Sequence, residues 1–124
     1  MEINIPDVHA EVTEFFWRYT NAISTNDIDT VKALFWDSEH VLRFGSGENL
    51  YGIDAIATFR DGQRGRPIKL EITRLVITTF GRDFATANCE LLRSDSGGRG
   101  RMSHAWVRIE QGWRIVAAHV SPGP

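Results

Sequence analysis

The run from Ile68 to Phe80, IKLEITRLVITTF, alternates as a strand does, but its alternation changes phase partway: Ile68, Leu70 and Ile72 share one parity, Leu75 and Ile77 the other. Side chains on a strand point to opposite faces in turn, so so long a strand keeps one face buried only if an extra residue is inserted where the phase slips. The slip falls at Thr73 and Arg74 and predicts a β-bulge there, which bends the sheet that contains it. A bent sheet needs something in its hollow. The later chain does not supply it, because Asp83 to Arg93, Arg101 to Glu110 and Trp113 to Ser121 all read as further strands, separated by SDSGGRG and by a turn at Gln111 and Gly112.

The filling comes from the N-terminal part. Val12, Phe15, Phe16, Tyr19, Ala22 and Ile23 recur at helical spacing within Val8 to Ser24, giving an amphipathic helix with Tyr19 on its apolar stripe. Asp27 is placed to cap a second helix, Ile28 to Phe35. HVLRF then reads as a strand, GSGEN as a turn, LYG as a short return strand and IDAIATFR as a third helix before the loop DGQRGRP. This order predicts one α+β domain over residues 1–124: three N-terminal helices packed on the concave face of a strongly curved antiparallel sheet, with a pocket at one end.

Composition removes several functions. Hydrophobic content is 42% and charged content 24%, and no apolar run approaches the ~20 residues of a membrane span, so a soluble protein without membrane contact is expected. MEINIPDVHAEV has neither the basic nor the apolar region of a secretory signal, which favours a cytoplasmic location. The formal net charge is −2 and no basic stripe stands out, which argues against a nucleic-acid partner. The single cysteine, Cys89, leaves no internal disulfide or multi-cysteine zinc site and reads as a small buried hydrophobe. No cofactor is expected.

Counting outward from the turn at Gln111 and Gly112 pairs Trp106 with Ala117 and His104 with His119, and places Met102, His104, Trp106, Ile115, Ala117, His119 and Ser121 on the concave face. Pairing Phe80 with Asp83 adds Leu75, Ile77, Phe84, Thr86 and Asn88 to that face, with Asn88 and Glu90 approaching the pocket. Two histidines with only Glu90 as a conditional third ligand do not make a metal site, and none is expected. GSGEN matches neither a nucleophile elbow nor a phosphate loop, so Ser46 is a turn residue. Tyr19 needs a partner for its hydroxyl and is equally consistent with a core tyrosine and a functional donor. Arg43, between Leu42 and Phe44, is either exposed, paired with Glu48 or Glu90, or aimed at an anionic ligand. The other sheet face, with Val116, Ala118 and Val120 beside Ala85, Ala87 and Leu91, reads as too apolar for water and predicts a homodimer through it.

LYGIDAIATFR and AWVRIEQGWRIVAAHVS resemble the nuclear transport factor 2-like superfamily, which includes SnoaL-like cyclases and ketosteroid isomerases. More narrowly, LRFGSGENLYGIDAIATFR, ITTFGRDFATANCELLR and GRMSHAWVRIEQGWRIVAAHVS resemble the AtzH-like family, over nearly the whole chain. The resemblance implies a cone-shaped, cystatin-like fold and an amidohydrolase-like activity in nitrogen catabolism, alongside amidases, in cyanuric acid or oxalurate degradation. Dicarboxyurea would lose one carboxyl group to give allophanate. It also implies catalytic roles for Tyr19 and Arg43, and a glutamine where this chain has His104. On that reading Arg43 anchors one carboxylate and Arg60 clamps a second, Tyr19 donates a proton, His104 or His119 positions water or acts as a base, and Trp106 forms an apolar wall near Asn88. Two other classes compete: a dimeric accessory protein that binds an acidic metabolite or a partner amidase, and an isomerase or cyclase with a carboxylate base.

Overall fold

A computed structural model describes residues Met1–Pro124. Helix α1 spans Pro6–Ser24, α2 Ile28–Ala33 and α3 Ile53–Asp61; the strands are β1 Leu42–Phe44, β2 Asn49–Tyr51, β3 Leu70–Phe80, β4 Phe84–Arg93, β5 Arg99–Ile109 and β6 Gly112–Pro122. They form one six-stranded sheet in the order β2-β1-β6-β5-β4-β3. The α+β expectation holds, with one amendment: β1 runs parallel to β6, so the sheet is mixed. No helix is long and apolar enough to cross a membrane.

Each helix forms where the chain supplies both an apolar stripe and a start signal. Pro6 opens α1, and Val8, Val12, Phe16 and Tyr19 form its buried edge against the sheet. Asp27 caps α2 by accepting from Thr30 N at 3.3 Å. Lys32 Nζ ties α2 to α3 through Asp61 at 2.9 Å. Gly52 enters α3 at φ 84°, a left-handed conformation that most side chains resist, and so turns the chain from β2 directly into the helix. Arg60 lies in the last turn of α3 and faces inward.

The bulge expected at Thr73 is present: the β3–β4 register shifts between Ile72 and Arg74. A second bulge lies in the β5–β6 ladder, where Ala105 pairs with Ala117 but Trp106 with Ile115, leaving Val116 unpaired. Both long hairpins therefore bend, and the bends close the sheet over α1.

Both turns differ from the sequence reading. Gly81, Arg82 and Asp83 make a three-residue loop, so Phe80 pairs with Phe84. The last turn is Glu110 and Gln111, with Ile109 paired to Gly112. A one-residue shift sends every side chain of a strand to the other face. In β4 the inner set is consequently Ala85, Ala87, Cys89 and Leu91, all buried, whereas Phe84, Asn88 and Glu90 are exposed. In β6 the bulge exchanges parity midway: Trp113 and Ile115 face the core first, then Ala118, while Ala117 and His119 turn outward.

The apolar face first expected to be a dimer surface is thus the protein's own core. Ala85, Ala87, Leu91 and Ala118 belong to the buried cluster with Phe16, Trp106 and Trp113, and Val120 packs against it. Cys89 is a buried core residue as read, and burial pushes its thiol up to about 11, far from a nucleophile's range.

Candidate functional site

A cavity of about 240 Å³ opens at the end of the sheet where β1, α3 and the second half of α1 meet. Its polar lining comes from separate elements: Tyr19 from α1, Arg43 from β1, Ser46 and Glu48 from the β1–β2 turn, Arg60 from α3, Gln63 just after it, Arg93 from the end of β4, where Asp95 pairs with it, His104 from β5 and His119 from β6. Phe59, Ile68, Leu91, Met102 and Val120 supply apolar wall.

Strand parity explains Arg43. Leu42 and Phe44 point to the outer face and Arg43 inward, where it is only 8% exposed. Its Nη1 donates to Glu48 Oε1 at 2.5 Å, and its guanidinium carbon lies 5.0 Å from the centre of the Phe59 ring. Arg60 is 4% exposed and lies on the same ring at 5.8 Å. Its Nη2 donates to Tyr19 Oη at 2.6 Å, its Nη1 to Gln63 Oε1 at 2.9 Å, and its Nε is buried without a partner. Burial, and then the neighbouring Arg43 charge, hold the Arg60 pKa below its ordinary value, with Tyr19 and Glu48 acting against them. No carboxylate contacts Arg60. A guanidinium taken out of water without a counter-ion is strongly unfavourable.

Tyr19 is not simply a satisfied core tyrosine. A guanidinium can only donate, so the phenol oxygen accepts from Arg60 and its own proton is left for another acceptor. Its ring is fixed edge-on by Phe35 at 5.7 Å and by His104 at 5.1 Å. His104 is 3% exposed, with Nδ1 buried and unpartnered. Burial first, then the positive charges of Arg43 and Arg60, push its pKa down to about 3. It is therefore a neutral imidazole near pH 7, able to donate from one nitrogen and accept at the other, and too weakly basic to take a proton from substrate.

The remaining sequence candidates separate. Trp106 does not wall the cavity: it is fully buried in the core, its ring 5.8 Å from that of His104, and its Nε1 has no partner. Asn88 is not at the site: the one-residue change in the β3–β4 turn puts it on the outer face, where Ser103 Oγ donates to its Oδ1 at 2.7 Å. Glu90 is exposed on that face too. His119 pairs with Ser103, not with His104, and borders the cavity while its exposed ring packs edge-on against Phe44 at 6.1 Å. Nowhere do three His, Cys, Asp or Glu side chains converge as metal ligands. Glu48 is the one carboxylate that lines the cavity, and Arg43 holds it. Gln63 and Phe59 were missed; Phe59 immediately precedes Arg60, and no motif marks Gln63 in the loop that follows.

A helix-filled, bent sheet with a polar cavity at its open end defines the nuclear transport factor 2-like, or cystatin-like, class. A cystatin-like fold protein from Burkholderia xenovorans LB400 superposes with a TM-score of 0.88 at 41% identity, covering 98% of this chain and 96% of that one. A nuclear transport factor 2-like superfamily protein from Salmonella enterica gives 0.79 at 28% identity over 95% and 92%. A protein of unknown function from Pectobacterium atrosepticum gives 0.92 at 43% identity over 98% and 95%. Within this class the chain belongs to the AtzH-like family, whose model matches residues 1–123. No curated protein matches it.

Proposed function

We propose that the cavity holds a small substrate by its carboxylates and that the protein is an amidohydrolase-like enzyme acting on a carboxylated urea, either dicarboxyurea or an oxalurate-type relative. The observation that carries the reading is the Arg60–Tyr19 pair: a buried cation without a carboxylate, bonded to a phenol whose proton is uncommitted. A carboxylate placed beside it would supply the missing counter-charge.

With dicarboxyurea, the bond between one nitrogen and its carboxylate carbon breaks, carbon dioxide leaves, and the bonding electron pair stays on nitrogen, which must gain a proton. Tyr19 is placed to donate that proton, and Arg60 stabilises the phenolate left behind until water restores it. Arg43 holds the carboxylate that is retained, and Arg60 with Tyr19 orients the one that departs. The departing carboxylate loses its charge as it becomes carbon dioxide, which an apolar surface such as Phe59, Leu91, Met102 and Val120 favours. His104, being neutral, serves as a hydrogen-bond partner for the ureido group.

Allophanate formation from dicarboxyurea, followed in a coupled assay, tests this. Tyr19→Phe and Arg43→Lys are each expected to lose about 100-fold or more in turnover with the fold retained. Wild-type turnover no faster than the spontaneous reaction sinks the enzymatic reading. Tight ligand binding without turnover supports an accessory protein that holds an acidic metabolite for a partner amidase.

A homodimer belongs to the same reading, through different residues from those first expected. The outer sheet face carries Leu42, Phe44, Ala105 and Ala117, with Val76 at 48% and Phe84 at 39% exposure. Light scattering that finds only monomer at micromolar concentration overturns it.

A further inference from the structure

The Arg43–Glu48 pair raises a difficulty for an anion site: one of its two buried cations already has a carboxylate. Glu48 stands on the turn between β1 and β2, which Gly45 N closes onto Glu48 O at 2.9 Å. Its carboxylate folds back over Gly45 to reach Arg43, and Gly47 N bonds its second oxygen at 3.2 Å. That path exists because residue 45 has no side chain. A Cβ there would overlap the Glu48 carboxylate and come within 3.0 Å of Arg43 Nη1. Gly45 does not have a positive φ, so its backbone does not require glycine; the space for the Glu48 side chain does.

The contact itself is a single one. Only Nη1 of Arg43 is bonded to Glu48, not the two-pronged fork that a guanidinium forms with a well-placed carboxylate. The Glu48 side chain is 24% exposed and that of Arg43 10%. The carboxylate can swing out to water, whereas the guanidinium cannot follow. Arg60, by contrast, has no competing carboxylate in contact.

We propose that Glu48 is an internal stand-in for a substrate carboxylate, occupying Arg43 until a ligand displaces it, and that this makes the cavity select for ligands carrying two carboxylates. One ligand carboxylate takes Arg60 and Tyr19. A second within reach exchanges with Glu48 on Arg43, and a ligand with one carboxylate has nothing to make that exchange. The inference rests on the anion-binding reading above and adds the device that sets its specificity.

Malonate, with two carboxylates, and acetate, with one, are the probes, titrated calorimetrically at fixed ionic strength. Glu48→Gln removes the competing charge, and Glu48→Asp keeps the charge but shortens its reach to Arg43. Both variants are expected to bind malonate about tenfold more tightly than wild type, with acetate changed much less. Tightening in Glu48→Gln alone is a general charge effect and overturns the displacement. Malonate affinity unchanged or weakened in both variants overturns it as well and leaves the anion site intact. Malonate binding to none of the three proteins overturns both this inference and the anion site beneath it.

Discussion

Helix α1 crosses both ends of the inner sheet face, and Phe16 and Tyr19, three residues apart on one stripe, meet different surroundings there. Phe16 is fully buried in the apolar cluster with Trp106, Trp113 and Ile115. Tyr19 is just as buried, yet its hydroxyl meets Arg60. Around Phe16 burial pays in apolar area and close packing; around Tyr19 the Arg60 guanidinium and the His104 imidazole have been taken out of water, each with one nitrogen left unpartnered. On the proposed reading a ligand, not the fold, completes these groups. One helix thus packs the core at Phe16 and lines the cavity at Tyr19.

The comparison predicts that a cut at the apolar end costs stability alone. Phe16→Ala leaves a void that the neighbouring tryptophans cannot collapse into, and is expected to lose about 3–5 kcal/mol in urea unfolding while the cavity's charges stay in place. A loss below about 1 kcal/mol would mean that the core is looser than the burial of Phe16 implies. At the other end the sign reverses. Arg60→Met replaces an uncompensated cation by an apolar chain of similar length, and is expected to leave stability unchanged or raise it by about 1–4 kcal/mol while abolishing turnover and anion binding. Destabilisation of that size instead would make Arg60 a structural residue and dissolve the contrast between the two ends.

The order of elements was legible in the sequence, and so was most of the candidate site's part on the helices and on β1. Helical spacing put Tyr19 on the buried stripe, and the interrupted alternation of β3 located its bulge at Thr73. The single-residue anomaly in LRF marked Arg43, with Glu48 already among its candidate partners. The faces of β4 and the end of β6 were not legible, because each depends on one residue in a turn or a bulge. The GR turn closes as a three-residue loop that includes Asp83, which accepts from Arg108 at 3.0 Å. That residue alone moved Asn88 outward and brought Ala85, Ala87 and Leu91 in. The composition held the signal: Ala85, Ala87, Cys89 and Leu91 are uniformly apolar, whereas the competing set runs into Asn88 and Glu90. The bulge at Val116 carries no comparable mark, since VAAHV is nearly as apolar in either phase.

His104 joins the two ends, packed between Phe16 at 6.1 Å and Tyr19 at 5.1 Å, and it offers the smallest and sharpest test of the contrast. Its pKa falls from an ordinary 6.5 to about 3 on folding, through burial and then the charges of Arg43 and Arg60. Between those values the unfolded chain binds a proton that the native protein refuses, so unfolding gains as pH falls. This contribution is fully present above pH 6.5 and is lost at about 1.4 kcal/mol per pH unit as pH drops toward the folded value. From pH 7 to 5.5 the wild type is therefore expected to lose about 1 kcal/mol that His104→Gln does not lose, read from urea midpoints at the two pH values. The difference in slope is the readout, because a buried glutamine also changes stability at every pH. Equal slopes would mean that the imidazole can take up a proton beside two guanidiniums, and that the cavity end is wetter, and less in need of an anion, than its geometry implies.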